Sequence, residues 1–190
     1  MTEKLKEELR KAQEVLKKGG VILYPTDTVW GLGCDATNAD AVKRIYGIKQ
    51  REESKSLLIL LDDIGKIASY AEVPEVAYQL LETADAPLTI IYPNARGLAP
   101  NLIGADKTIG IRITQEEFSK SLIYRFHKPI VSTSANVSGQ PAPALYSEIR
   151  DEIKASVDYV VDYRREEREA HKPSGIIKLG LRGEVQIIRK

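Results

Sequence analysis

Short apolar runs alternate with helical segments along the whole 190-residue chain, and this alternation is the feature that most constrains the fold. Runs of strand length occupy residues 21–24, 57–61, 88–92 and 108–113. Segments with apolar residues at helical spacing lie between them. Such interleaving predicts an α/β fold with helices flanking a twisted, open sheet. The last two predicted strands, joined by a short glycine turn, make that sheet mixed.

Capping signals set the expected bounds of several helices. Residues 2–18 predict an amphipathic helix with Thr2 as N-cap, and Asn38 is placed to cap a helix over 39–49. Thr114 with Glu117 three residues later has the form of a capping box, which predicts a helix running to about residue 126. The remaining predicted helices cover about 63–70, 75–82 and 147–155, and the remaining strands 130–132, 158–162, 175–179 and 184–189.

Composition excludes several classes of protein. The 28 basic and 27 acidic residues nearly cancel, so no general electrostatic attraction to nucleic acid or membrane is expected. Cys34 is the single cysteine and cannot form an internal disulfide. The first residues lack the apolar core of a signal peptide, and no apolar run approaches the ~20 residues that span a bilayer. We therefore expect a cytoplasmic protein without membrane contact, and one domain over residues 1–190.

Four polar segments lie beside predicted strands, at 24–33, 49–56, 108–112 and 132–139. Open α/β sheets bind ligands at strand ends, which favours a shared site. Each segment also has an ordinary explanation: a strand-to-helix turn, a solvated charged loop, an arginine reaching water, and a network of Ser, Thr and Asn turns. These residues alone leave both interpretations open.

Several familiar chemistries have no support in the sequence. One cysteine and two histidines cannot supply a tetrahedral Cys/His zinc site, so no protein metal site is expected. The chain contains no GxxxxGK[ST] phosphate loop, no GxGxxG fingerprint and no GxSxG nucleophile elbow. Nothing in the sequence indicates a covalent nucleophile.

The chain contains, in this order, YPTDTVWGLG, KQR followed by Lys55, and STSANVSG. Together these segments resemble the YrdC/Sua5/YciO family, in its short single-domain branch. The resemblance implies a YrdC-like domain whose twisted open sheet encloses a large, concave, basic cleft. It also implies an L-threonylcarbamoyladenylate synthase, a nucleotidyltransferase. That enzyme forms threonylcarbamoyl-AMP and pyrophosphate from L-threonine, bicarbonate and ATP, for the N6-threonylcarbamoyladenosine modification of tRNA.

The resemblance also carries the site residues. The K-x-R and S-x-N tetrad of the family falls on Lys49, Arg51, Ser134 and Asn136, which are the implied catalytic residues. The implied contacts to ATP are Arg51, Lys55, Thr108, Asn136 and Arg189, the last across a one-residue gap, and those to threonine or bicarbonate are Thr28, Arg112, Ser134 and Ser174. Mg²⁺ is expected to arrive with ATP. No general base is identified, and carbamate formation is expected to depend on positioning of the free threonine amine.

Three residues depart from the family pattern: Trp30 replaces a tyrosine, Ser56 interrupts the common KPL, and Gly175 stands where the PST motif has threonine. They leave open a YciO-type paralogue with a related adenylate activity. A module that binds double-stranded RNA or tRNA is a further alternative, which near-neutral charge and few aromatic residues disfavour. Carbamoyl-adenylating modules of hydrogenase maturation share the fold but belong to much larger chains. A synthase would have a downstream threonylcarbamoyl transferase as partner.

Overall fold

The structure is a computed structural model that describes residues 1–53 and 57–190. Within these residues one nine-stranded mixed sheet is flanked by helices, which confirms the predicted fold class. The strands are β1 (Ile22–Tyr24), β2 (Gly31–Gly33), β3 (Leu58–Leu61), β4 (Leu88–Tyr92), β5 (Ile109–Ile113), β6 (Ile130–Ser134), β7 (Tyr159–Val160), β8 (Gly175–Leu179) and β9 (Val185–Arg189). Their order across the sheet is β7-β1-β2-β6-β3-β5-β4-β8-β9.

The helices match the capping signals in most places. The α-helices are α1 (Glu3–Lys17), α2 (Ala39–Lys49), α3 (Val76–Thr83), α4 (Glu117–Phe126) and α5 (Asp151–Ala155), and short 3₁₀ helices cover Ile64–Ser69, Pro100–Leu102 and Tyr146–Glu148. The hydroxyl of Thr2 accepts a hydrogen bond from the Leu5 amide, and the Asn38 side chain accepts one from Ala41. Both predicted N-caps are therefore confirmed.

The two faces of the sheet bury different helices. On one face Ile59, Ile111 and Val131 pack in a cluster that includes residues of α2. On the other, Leu60 and Ile130 pack with the apolar residues of α1 and α4. Alternate residues of a strand point to opposite faces, so Leu58 and Leu60 share the face covered by α1 and α4. Where those helices end, the rest of this face is left open.

Three expectations about local structure were wrong. Glu116, not Thr114, caps α4 by accepting a hydrogen bond from the Ser119 amide, because the Thr114 hydroxyl instead pairs with that of Ser119 at 2.7 Å. The predicted helix over 147–155 is divided into a 3₁₀ turn and α5. The segment read as one loop after β1 contains β2, whose Gly-Leu-Gly sequence carries no strand signal of its own and is held by pairing with β1 and β6.

No helix in residues 1–53 and 57–190 combines the length and apolarity needed to cross a bilayer.

Candidate functional site

A cavity of about 300 Å³ opens on the part of the sheet that α1 and α4 leave uncovered. Its floor consists of residues two apart on neighbouring strands, as expected for one face of a sheet. They are Gly31 of β2, Ser132 and Ser134 of β6, Leu58 of β3, Gly110 and Arg112 of β5, Thr89 and Ile91 of β4, and Ile176 of β8.

The strand register explains why these residues meet. Gly110 pairs with Leu58, which pairs with Ser132, while Arg112 pairs with Thr89 on the other side of β5. The site therefore lies across a sheet face, and not only at the strand ends that the sequence pattern indicated. The reason is that β6, β3, β5 and β4 include antiparallel pairs, so their carboxyl ends do not meet at one edge. The polar segments still come together, because the register aligns them.

Arg112 lines the cavity and is almost completely buried, with 3% of its surface exposed. Its guanidinium forms an ion pair with the Asp27 carboxylate at 3.0 Å, and Nη2 lies 3.4 Å from the Thr26 hydroxyl. The Thr26 hydroxyl is 3.1 Å from that of Thr28 and accepts a hydrogen bond from the Thr28 amide. The first polar segment thus folds into a turn that aims Thr28 into the cavity and supports Arg112.

A second group of polar residues also lines the cavity. The Ser174 hydroxyl lies 2.8 Å from that of Thr89, and Arg189 Nε donates to the Ser174 carbonyl at 2.9 Å. Burial, and then the positive charge of Arg112, lower the pKa of Arg189 below its usual range. The guanidiniums of Arg112 and Arg189 therefore share the cavity with that of Arg51, and an anion placed between them would offset their repulsion.

Lys49 and Asn136 do not line the cavity among the described residues. Lys49 is 2% exposed, and its Nζ donates to the carbonyls of Ser134 and Asn136 at 2.6 and 2.8 Å. The Asn136 amide donates to the carbonyls of Val137 and Gln140. These two members of the tetrad hold the shape of the 134–140 loop, whereas Arg51 and Ser134 face the cavity.

Seven of the ten residues singled out by the resemblance line one cavity: Thr28, Arg51, Thr108, Arg112, Ser134, Ser174 and Arg189. Lys55 and the departing Ser56 lie outside the described residues. The ATP contact implied for Lys55 and the extended basic cleft stay predictions. Within the described chain no group of three or more His, Cys, Asp or Glu residues could hold a metal ion.

Sequence reasoning missed three contributors to the site. Asp27 and Thr89 were not singled out, although Asp27 lies inside the PTDT motif and is the ion-pair partner of Arg112. Arg164 was not singled out either, yet its Nη1 donates to the Thr26 carbonyl at 3.2 Å. A contact across 138 residues leaves no local pattern, so only the fold could reveal it.

Two of the departures from the family pattern have structural explanations. Trp30 is buried and packs on Tyr146 with ring centroids 4.8 Å apart, so its ring belongs to the core. A Cβ added at Gly175 would meet Leu88 Cδ1 at 3.7 Å and the Arg189 carbonyl at 3.8 Å, which are ordinary van der Waals separations. Nothing in the backbone therefore requires glycine at position 175.

A Gly175→Thr variant should fold with a melting temperature equal to or slightly above that of the unchanged protein. β-branched residues suit strands. Replacing glycine also lowers the conformational entropy of the unfolded chain, which raises the free energy of unfolding by about 0.5 kcal/mol. Thermal unfolding followed by circular dichroism measures this. Gly33→Thr is the contrasting control, since a Cβ there would lie 2.8 Å from the Val131 carbonyl. A large destabilisation at Gly175 would contradict the expectation.

Nearly the whole chain matches a known protein family. The Sua5/YciO/YrdC family model, described as telomere recombination, matches residues 14–190. A threonylcarbamoyl-AMP synthase of Idiomarina loihiensis is 35% identical over 149 residues, covering 76% of this chain and 80% of the relative. A putative threonylcarbamoyl-AMP synthase of Methanocaldococcus jannaschii is 38% identical over 178 residues, covering 91% and 83%.

Solved structures agree with the fold. P. abyssi Sua5 complexed with L-threonine superposes with a TM-score of 0.79 at 28% identity, covering 90% of this chain and 50% of that one. E. coli YciO superposes with a TM-score of 0.83 at 26% identity, covering 96% and 88%. The chain thus spans about half the length of the Sua5 protein and most of YciO. With the family model matching nearly all residues, the chain belongs to the Sua5/YciO/YrdC family.

Proposed function

We propose that this chain is a threonylcarbamoyl-AMP synthase that uses L-threonine, bicarbonate and ATP. The observation that carries the proposal is the convergence of Thr28, Arg112, Ser134 and Ser174 with Arg51 and Arg189 in one cavity. Hydroxyls and guanidiniums in this arrangement suit a zwitterionic amino acid beside a polyphosphate. The relatives named as synthases at 35–38% identity support the same activity.

The proposed reaction has two steps. The free amine of threonine attacks the carbon of bicarbonate, which gives a carbamate and releases water. A carbamate oxygen then attacks the α-phosphorus of ATP, and the bond from that phosphorus to the bridging oxygen of the β-phosphate breaks. The products are the mixed anhydride threonylcarbamoyl-AMP and pyrophosphate.

The protein's task in this reaction is positioning and charge compensation, because the reactants are all anionic or zwitterionic. Arg112, held by Asp27, would receive the threonine carboxylate or bicarbonate, and Thr28, Ser134 and Ser174 line the same cavity. Arg51, Thr108, Arg189 and the predicted Lys55 would face the nucleotide. Mg²⁺ enters as part of the MgATP substrate and neutralises phosphate charge. The product would pass to a cytoplasmic transferase that acts on tRNA.

Incubation with MgATP, bicarbonate and L-threonine should release pyrophosphate at a rate that depends on all three substrates. L-serine, which lacks the threonine methyl group, should react about tenfold more slowly, the discrimination expected for one methyl group in a fitted pocket. Release is followed by a coupled pyrophosphatase assay. Release that does not require threonine would contradict the proposal.

An Arg51→Ala variant tests whether Arg51 belongs to the proposed site. Arg51 faces the cavity, and its loss should lower threonine-dependent release by about 100-fold, the usual cost of removing a charge-stabilising group. Arg10→Ala is a matched control, because Arg10 is an exposed arginine of α1. Full activity in Arg51→Ala would remove Arg51 from the proposed site.

A YciO-type activity is the second candidate. It is favoured by the likeness to E. coli YciO over 96% of this chain and 88% of that protein. An adenylate chemistry with another acceptor would then replace threonine activation. The pyrophosphate-release assay, repeated with other amines and carboxylates in place of threonine, distinguishes the two activities. A paralogue would release pyrophosphate with one of those compounds and not with threonine.

A further inference from the structure

We propose that Arg164 is a positioning residue for the amino acid substrate, which fixes the Thr26–Thr28 turn by linking it to the start of α4. This inference rests on the proposed function and assigns a role to a residue outside the family motifs. Arg164 lies between β7 and β8, far in sequence from both elements that it joins.

The first part of the link is a rigid anchor. Arg164 Nη1 lies 3.3 Å from Glu116 Oε1, and only 7% of the Glu116 side chain is exposed. The other oxygen of Glu116 accepts the Ser119 amide as the N-cap of α4, so this carboxylate is fixed from two sides. Because α4 packs on α1 and on the sheet, Glu116 connects Arg164 to the core of the protein.

The second part reaches the cavity. Arg164 Nη1 donates to the Thr26 carbonyl at 3.2 Å, and the Thr26 hydroxyl touches both Thr28 and Arg112. Thr28 and Arg112 line the cavity directly, whereas Arg164 is not among its lining residues. Displacement of Thr26 would therefore move the groups assigned to threonine, and leave Arg51 and Thr108 on the nucleotide side in place.

The third part orients the guanidinium. Arg164 Nη2 lies 2.7 Å from Glu167 Oε2 and 3.2 Å from His171 Nε2, and Glu167 in turn lies 3.2 Å from His171. The backbone of Arg164 has a φ of +59°, a left-handed conformation that costs a non-glycine residue about 1 kcal/mol or more. Such a conformation persists where several contacts fix it, as they do here.

The test compares Arg164→Gln and Arg164→Lys with Arg168→Gln, which removes an exposed arginine of the same segment. Threonine KM should rise about tenfold in both Arg164 variants, the cost of losing a charged hydrogen bond, with ATP KM and kcat within about twofold. Arg164→Lys keeps a positive charge near Glu116 but lacks the planar guanidinium with its several donors. Because the charge is kept, this variant is the less prone of the two to misfold. Arg168→Gln should match the unchanged protein.

Amide hydrogen exchange provides a readout that needs no turnover. Exchange at residues 26–28 should be faster in Arg164→Gln than in Arg168→Gln, while exchange in α4 stays unchanged. Equal exchange in that turn, an unchanged threonine KM, or ATP and threonine KM values rising in parallel would each overturn the proposal. If the unchanged protein binds no threonine, the proposed function fails, and the exchange comparison still decides whether Arg164 holds the turn.

Discussion

Replacing Arg112 by methionine should lower threonine-dependent pyrophosphate release by at least about 100-fold. Arg112 is a buried cation that lines the cavity, and a preorganised cation facing an anionic reactant contributes on this scale. The loss should appear mainly in kcat/KM for threonine, because the Thr26 hydroxyl that contacts Arg112 also contacts Thr28, another residue assigned to threonine. Steady-state kinetics with each substrate varied in turn measure the effect.

The same change should destabilise the fold by about 3 kcal/mol, since it leaves the Asp27 carboxylate, 12% exposed, without its ion-pair partner. An Asp27→Asn/Arg112→Met double variant removes both charges and separates the two effects. It should regain most of the free energy of unfolding while remaining inactive. A double variant that recovers activity together with stability would show that Arg112 acts only through the fold.

Most of the architecture could be predicted from local signals. Thr2 and Asn38 have side chains that satisfy free helix amides, so the bounds of α1 and α2 could be read directly. β2 could not, because Gly31–Gly33 becomes a strand only through its neighbours β1 and β6. The predicted Thr114 cap was wrong because the Thr114 hydroxyl pairs with the Ser119 hydroxyl instead of with a helix amide.

The site was predictable in its members and not in its geometry. Family motifs brought Thr28, Arg112 and Ser134 to notice, and all three line the cavity; the strand register places Arg112 and Ser134 on the same sheet face. The sequence does not distinguish a lysine that contacts substrate from one that holds a loop, because both depend on contacts between distant segments. Lys49 shows this, since its ammonium bonds to carbonyls more than 80 residues away.

A Lys49→Met variant should lose about 100-fold in kcat/KM and unfold about 2 kcal/mol more easily. The change leaves the Asn136 carbonyl without its buried donor and the Ser134 carbonyl with only the Asn136 amide, and an unpaired buried group costs about 1–3 kcal/mol. The Ser134 hydroxyl should then no longer be held in the cavity. Lys43→Met, which removes an exposed lysine of the same helix, is the matched control and should change neither quantity by much.

The pH dependence of Lys49 makes its role testable apart from stability. Burial, and then the charge of Arg51, lower the pKa of Lys49 from its usual 10.5 to about 8. Above that pH the folded protein loses the ammonium that bonds to the two carbonyls, so activity that depends on it should fall. In the same interval, from about 8 to 10.5, the unfolded chain still holds this proton, so the Lys49 contribution to stability should rise with pH.

The activity that depends on Lys49 and the Lys49 contribution to stability should therefore move in opposite directions as pH rises from about 8 to 10.5. Threonine's own amine also titrates there, so the informative quantity is the ratio of unchanged to Lys49→Met activity, which should fall above about 8. The difference in free energy of unfolding between the two proteins should increase over the same range, in favour of the unchanged protein. Two results would show that the charge of Lys49 does not position the 134–140 loop. One is a constant activity ratio, and the other is a difference in free energy of unfolding that falls together with the activity ratio.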